Sequence, residues 1–271
     1  MSLLFKCQQP DNSGCIQRIT CENAGWRYVG FEVYQLKPDQ RLILESDDRE
    51  RCLVLLGGRA SIKTRHTQFF GLGKRISPFD RIPPYSVYVP AQDIVEVVAE
   101  SSLEIAVCSA PSTGGNLPAR LIRPDDVGIE HRGKGRNKRL VHNILPDDKP
   151  ADSLLVVEVY TNEGDTSSWP SHKHDQEDSP HETYLEETYY HRFDPPQGFA
   201  MQRVYTDDCS LDECMAVYNH DVVTVPRGYH PVATLAGYNS YYLNVMAGPK
   251  RLWKFTWEQD HAWINGENYP Y

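Results

Sequence analysis

The 271-residue chain has no run of 18 or more apolar residues, so no membrane-spanning helix is expected. Its opening, Met-Ser-Leu-Leu-Phe-Lys-Cys, lacks a basic segment followed by a sustained apolar stretch, and no secretory peptide is expected. There is no CxxC pair, and seven cysteines are an odd number. Cys52 and Cys108 lie in apolar runs, where cysteine behaves as a small buried hydrophobe, and a reducing cytoplasm is the expected compartment. Basic residues are in deficit, 28 Lys and Arg against 37 Asp and Glu, for a net charge of −9. That balance disfavours a broad phosphate-binding surface, so neither a nucleic-acid nor a membrane partner is expected. Helical periodicity is scarce.

Strand patterns dominate what is present. Trp26 to Leu36 reads WRYVGFEVYQL, and further runs follow at Arg41–Glu45, Cys52–Ile62, Ser86–Val89, Ile94–Ala99 and Leu103–Cys108. Gly57-Gly58, Pro78, Pro83-Pro84 and the stretch from Ser109 to Gly115 separate them with turn formers. The rhythm restarts at Leu154–Tyr160 and continues through Thr188–Phe193, Phe199–Thr206, Cys214–Val217, Val222–Val225 and Tyr241–Met246. Two all-β sandwich or barrel halves are the natural reading, divided near residue 145 into 1–145 and 146–271. The intervening HRGKGRNKRLVH, from His131 to His142, is polar and basic. Phosphate or nucleic-acid binding is one reading of it. A solvated connector is preferred, because no aromatics interleave and its glycines form no phosphate loop. Trp253, Trp257 and Trp263 are read as packing residues in a segment able to form a short covering helix.

The densest chemistry lies between Ser171 and His191. His172 and His174 form an HxH pair, and on an extended strand alternate side chains share a face, so both imidazoles can approach one centre. Imidazole nitrogens are effective ligands for divalent transition metals. Glu187 begins the strand-like ETYYHRF run and is the preferred carboxylate, with Glu186 and Glu182 as competitors. His230 follows Pro226-Arg227-Gly228-Tyr229, where Gly228 permits a tight turn and Pro231 biases His230 toward extended backbone. HxH alone occurs by chance, and four unrelated polar residues are the alternative to one shared metal.

These features resemble the cupin metal arrangement, with only one residue between Gly228 and His230 as a departure. At whole-chain scale the sequence resembles the 5-deoxy-glucuronate isomerase family of inositol catabolism, related to the isomerases of 5-dehydro-4-deoxy-glucuronate. The motifs that carry this are SPFDRIPPYSVYVP, RGKGRNKRLVHNILP, SSWPSHKHD, EETYYHRF, VTVPRGYHPV and YYLNVMAGP. The resemblance implies a bicupin with its metal in the second half, held by His172, His174, Glu187 and His230, and a first half without an HxH pair. It implies interconversion of 5-deoxy-D-glucuronate and 5-dehydro-2-deoxy-D-gluconate, an aldose–ketose isomerisation that uses no nicotinamide. One divalent ion per chain, zinc or manganese ahead of iron, would polarise the sugar carbonyl. For the substrate carboxylate, Arg203 and Arg192 rank above Lys173, which should point away from the histidines. Tyr189, Tyr190, Tyr229 and Tyr242 are candidates to line the pocket, and no catalytic base is identified. A cupin dioxygenase and a non-catalytic, metal-stabilised carbohydrate-binding protein are the alternative functions. Exposed strand edges leave a homo-oligomer open.

Overall fold

A computed structural model describes residues 2–266. Its regular structure is almost wholly β, and among these residues no helix is long and apolar enough to cross a membrane. All seven cysteines are free.

One compact unit comprises Cys7–Gly128 and Asn143–Val156. Its six-stranded sheet has the order Arg120–Ile122, Ser86–Val89, Arg49–Gly57, Leu103–Pro111, Gly30–Leu36, Cys15–Ile19. A four-stranded sheet has the order Arg41–Leu44, Val95–Ala99, Ala60–Lys63, Gln68–Leu72. Every pairing in both is antiparallel. The alternation legible in the sequence sends Leu53, Leu55, Val87, Val97, Ile105 and Val107 into one core whose buried members are all hydrophobic. Burying each such side chain contributes about 1.5–3 kcal/mol.

The other unit comprises Met1–Lys6, Ile129–His142 and Val157–Tyr271. Its seven-stranded sheet has the order Leu4–Phe5, Val222–Val225, Glu186–Asp194, Asn239–Ala247, Leu155–Thr161, Arg139–Leu145, Gly128–Arg132. A four-stranded sheet holds Thr166–Ser167, Val232–Thr234, Phe199–Tyr205 and Asp212–Tyr218, and His172–Lys173 pairs separately with Thr256–Trp257. The expected covering helix is a 3-10 segment, Gln259–Asn265.

This division differs from the single cut expected near residue 145, and specific contacts account for it. Glu50, fully buried, accepts hydrogen bonds from the backbone N–H groups of Asp152, Ser153 and Leu154 and from the Tyr88 hydroxyl. Those bonds hold a segment beyond residue 145 in the first unit. Conversely, Leu4 and Phe5 pair with Val223 and Val222, and Lys6 Nζ lies 2.8 Å from Asp221 Oδ2.

His191 sits on the Glu186–Asp194 strand, fully buried, its ring parallel to Phe193 and its Nε2 2.8 Å from Gln202 Oε1. Burial pushes its pKa down to about 4, against smaller upward effects of Gln202 and Asp221. The folded state therefore holds this imidazole neutral, while the unfolded chain protonates it near pH 6.5. The stability it contributes is complete above pH 6.5 and is lost as pH falls toward 4, at up to about 1.4 kcal/mol per pH unit. Urea unfolding between pH 7 and 4.5 should show that slope, and His191→Gln should lower stability at pH 7 yet flatten the slope; an unchanged slope would contradict this account.

Candidate metal centre and active site

The HxH pair lies where the chain enters the short strand His172–Lys173, bonded to Thr256–Trp257. Strand alternation places His172 and His174 on one side and Lys173 on the other, where its Nζ is 2.5 Å from Asp207 Oδ2 and 3.6 Å from Asp175 Oδ1. The third imidazole arrives from the turn after Val222–Val225. Gly228 has φ +86°, and a Cβ there would stand 2.3 Å from the Tyr205 carbonyl oxygen. Tyr229 and Tyr205 exchange backbone hydrogen bonds of 2.7 and 2.9 Å, which return the chain so that His230 faces the HxH pair. One ligand nitrogen from each of His172, His174 and His230 lies within 4.8 Å of the others, and all three residues are buried.

Glu187 completes the cluster. Its Oε2 is 3.1 Å from His174 Nε2 and 3.2 Å from His230 Nε2. Of its competitors, Glu182 accepts the backbone N–H groups of Asp175 and Gln176 and braces the acidic loop instead. Glu186, one residue earlier on the strand, takes the opposite face.

The hydrogen-bond pattern tests whether a cation fits. His174 Nδ1 donates to the Leu185 carbonyl at 3.0 Å, and His230 Nδ1 donates to the Gly228 carbonyl at 2.9 Å. A carbonyl oxygen only accepts, so both Nδ1 atoms carry hydrogen, and both Nε2 atoms are directed at the Glu187 carboxylate. The positive charge that this buried carboxylate requires can come from a protonated ring or from a bound cation, to which the neutral rings would offer their Nε2 lone pairs. Buried His172 Nδ1 and His230 Nε2 have no hydrogen-bond partner, as donors awaiting an ion would not. Burial pushes the His174 imidazole down, but its bonds to Glu187 and to the Leu185 carbonyl carry it above its usual value. Burial alone would push the Glu187 carboxyl up, but His174 and His230 hold it below its usual value. Burial, then His230 and His174, then Arg139 and Arg132, push the His172 imidazole well below its usual value, so it is neutral. The donor set suits a divalent transition metal.

A cavity of about 400 Å³ opens beside this cluster, lined by His172 and Glu187 together with Tyr189, Tyr242, Asn244 and Ser168. Trp253, Phe255 and Trp257 form an aromatic wall, so two of the three tryptophans read as packing residues face the cavity, while Trp263 is exposed. Arg132, Arg139, Val141, Val157 and Val159 also line it.

The arginines overturn the reading of HRGKGRNKRLVH as a solvated connector. Gly133, with φ +78°, turns the chain where a Cβ would meet the Asn137 carbonyl oxygen at 2.1 Å. Asn137 Nδ2 donates to the Trp169 carbonyl, which fixes the loop. Arg132 then leaves the Gly128–Arg132 strand with Nε on Glu130 Oε2 at 2.7 Å and its guanidinium over Trp253. Arg139 donates to the Asn137 carbonyl at 2.9 Å, and among the described residues no carboxylate pairs with it. Burial pulls its pKa down, yet an arginine in this range stays charged.

The residues ranked for substrate binding in the sequence stand elsewhere. Arg203 is half-exposed and makes a two-point contact with Asp212 at 2.7 and 2.8 Å. Arg192 Nε donates to Asn219 Oδ1, Tyr229 donates to Asp207, and Lys173 is held by Asp207 as above. None of these four is among the described residues lining the cavity. Of the tyrosines, Tyr189 and Tyr242 line it, and Tyr190 instead meets His220 Nδ1 at 2.6 Å. Arg132 and Arg139 were missed because charge density read as solvation. The usable signal was Arg139 and Val141 as alternate residues entering a strand.

Comparison with known proteins places this geometry in context. The description "KduI/IolB family" matches residues 3–264. A 5-deoxy-glucuronate isomerase of Geobacillus thermodenitrificans is 58% identical over 261 residues, covering 96% of this chain and 95% of that protein. The crystal structure of an IolB-like protein from Salmonella typhimurium LT2 is 66% identical, with a TM-score of 0.95 over 98% of this chain and 100% of that one. An oxalate decarboxylase of Lactobacillus farciminis is only 12% identical but superposes with a TM-score of 0.68 over 98% of this chain and 90% of that one, a likeness of fold alone, and that fold is the all-β cupin expected. With its motifs distributed along nearly the whole matched length, the chain belongs to the KduI/IolB family.

Proposed function

We propose that this chain is a 5-deoxy-glucuronate isomerase that interconverts 5-deoxy-D-glucuronate and 5-dehydro-2-deoxy-D-gluconate in inositol catabolism, with a divalent metal held by His172, His174, Glu187 and His230. The observation that carries it is one cavity lined both by His172 and Glu187 of the histidine–carboxylate cluster and by Arg139, which has no acidic partner among the described residues. A sugar acid has matching ends, a carbonyl beside a hydroxyl and a carboxylate. The reaction moves hydrogen from C2 to C1 within one molecule, so neither nicotinamide nor oxygen enters its balance.

Arg139 anchors the carboxylate, and Arg132, steadied on Trp253, adds a second positive charge. The aromatic wall excludes water from the reacting end. Tyr189, whose hydroxyl is 2.9 Å from Ser168 Oγ, has its phenol pushed well above the usual value by burial and by Glu187, and so remains protonated as a hydrogen-bond donor beside the reacting carbons. When bound, the metal supplies Lewis-acid polarisation of the carbonyl and stabilises negative charge on its oxygen. Zinc or manganese is proposed ahead of iron. Seven free cysteines fit the reducing cytoplasm proposed as its location.

Metal analysis with product-resolved assay of 5-deoxy-D-glucuronate, in air and without oxygen, tests the whole reading. Equal turnover in both, lost on chelation, is expected; conversion by metal-free protein, or strict oxygen dependence, would refute it. His174→Ala should lose metal and turnover together while keeping its β-sheet circular dichroism, and Glu187→Gln should do so where Glu186→Gln does not. Arg139→Gln should lower kcat/KM by about 10- to 150-fold, the worth of a charged hydrogen bond of about 1.5–3 kcal/mol. Arg203→Lys should leave KM unchanged; the reverse pattern would return the carboxylate site to Arg203.

A further inference from the structure

The cavity floor is ordered. Across the seven-stranded sheet, adjacent strands run Glu186–Asp194, Asn239–Ala247, Leu155–Thr161, Arg139–Leu145, Gly128–Arg132. Their cavity-facing residues are, in the same order, Glu187 and Tyr189, then Tyr242 and Asn244, then Val157 and Val159, then Val141 and Arg139, then Arg132. Three interstrand spacings, about 14 Å, separate the backbone of the Glu187 strand from that of the Arg139 strand.

That order matches the order of groups along the substrate of the proposed reaction. In the pose that the isomerase reading implies, the carbonyl and its neighbouring hydroxyl would face Glu187, the next hydroxyls the phenol and amide of Tyr242 and Asn244, and the carboxylate the arginines. What lies between the hydroxyls and the carboxylate is C5, a methylene with no oxygen. The floor there is aliphatic and buried, Val141 at 1% exposure, Val157 at 4% and Val159 at 6%. Arg139 and Val141 are alternate residues of one strand, so the apolar patch begins beside the group that anchors C6.

Resting on the isomerase reading, we propose that Val141, Val157 and Val159 are the specificity-determining residues for the missing C5 hydroxyl. A hexuronate with oxygen at C5 would have to bury that hydroxyl against three valines without a partner. An apolar pocket rejects an added hydroxyl by a factor of up to about 100.

The test compares kcat/KM for 5-deoxy-D-glucuronate with that for D-glucuronate. The wild-type ratio alone is ambiguous, since a C5 hydroxyl also lets the acid close a six-membered ring that hides its aldehyde. That ring equilibrium belongs to solution and is the same for every enzyme variant, so the change in ratio on substitution isolates the floor. Val141→Thr, Val157→Thr and Val159→Thr each keep shape and β-branching while offering a hydroxyl partner. At least one should reduce the discrimination by about fivefold to tenfold, the effect of one neutral hydrogen bond. An unchanged ratio in all folded variants, or equal use of both acids by the wild type, would overturn the proposal. If the wild type turns over neither acid, the isomerase reading itself fails.

Discussion

The site depends on two backbone carbonyls. Leu185 and Gly228 each accept a hydrogen from an imidazole Nδ1, and so direct the Nε2 atoms of His174 and His230 to the same carboxylate. Without those bonds either ring could turn its other nitrogen to Glu187. With them, a bound cation would meet both Nε2 lone pairs and the carboxylate together. Much of the surrounding architecture serves to hold those two carbonyls: Leu185 N–H accepted by the His174 carbonyl on one side, and the Tyr205–Tyr229 backbone pair around Gly228 on the other.

The same sandwich pattern takes opposite contents in the two units. In the first, inward positions carry leucine, isoleucine and valine, and the space is filled. In the second, inward positions carry Glu187, Tyr189, Tyr242 and Asn244 beside valines of the neighbouring strands, and a cavity remains. A chain with net charge −9 nevertheless places two guanidiniums in that cavity. Local geometry, not net charge, sets the field that an acidic ligand meets.

The strands and the juxtaposition of the three histidines were legible because their signals are local or nearly so. HxH fixes two imidazoles on one strand face by the two-residue period alone, and Pro226-Arg227-Gly228 announces the turn that returns His230. Even Lys173 pointing away from the histidines follows from that period. The choice of Glu187 over Glu186 was legible for the same reason once the ETYYHRF strand was placed. The arginines that line the cavity were not legible. Arg203 and Arg192 lie on strands near the histidines in sequence and were ranked on that ground, but Arg203 is neutralised by Asp212 across the strand pair and Arg192 meets Asn219.

Sequence by itself determined the all-β class, the whole-chain resemblance, and which half carries the imidazoles, since each rests on patterns written along a strand. Tertiary structure alone decided that Arg132 and Arg139 line one cavity with His172 and Glu187, that residues 2–6 join the second unit and 143–156 the first, and that three valines line the same cavity. The reason is that a sheet's lateral order is set by pairing between strands far apart in the chain. A side chain's neighbours across that order follow from the pairing and leave no periodic trace in the sequence.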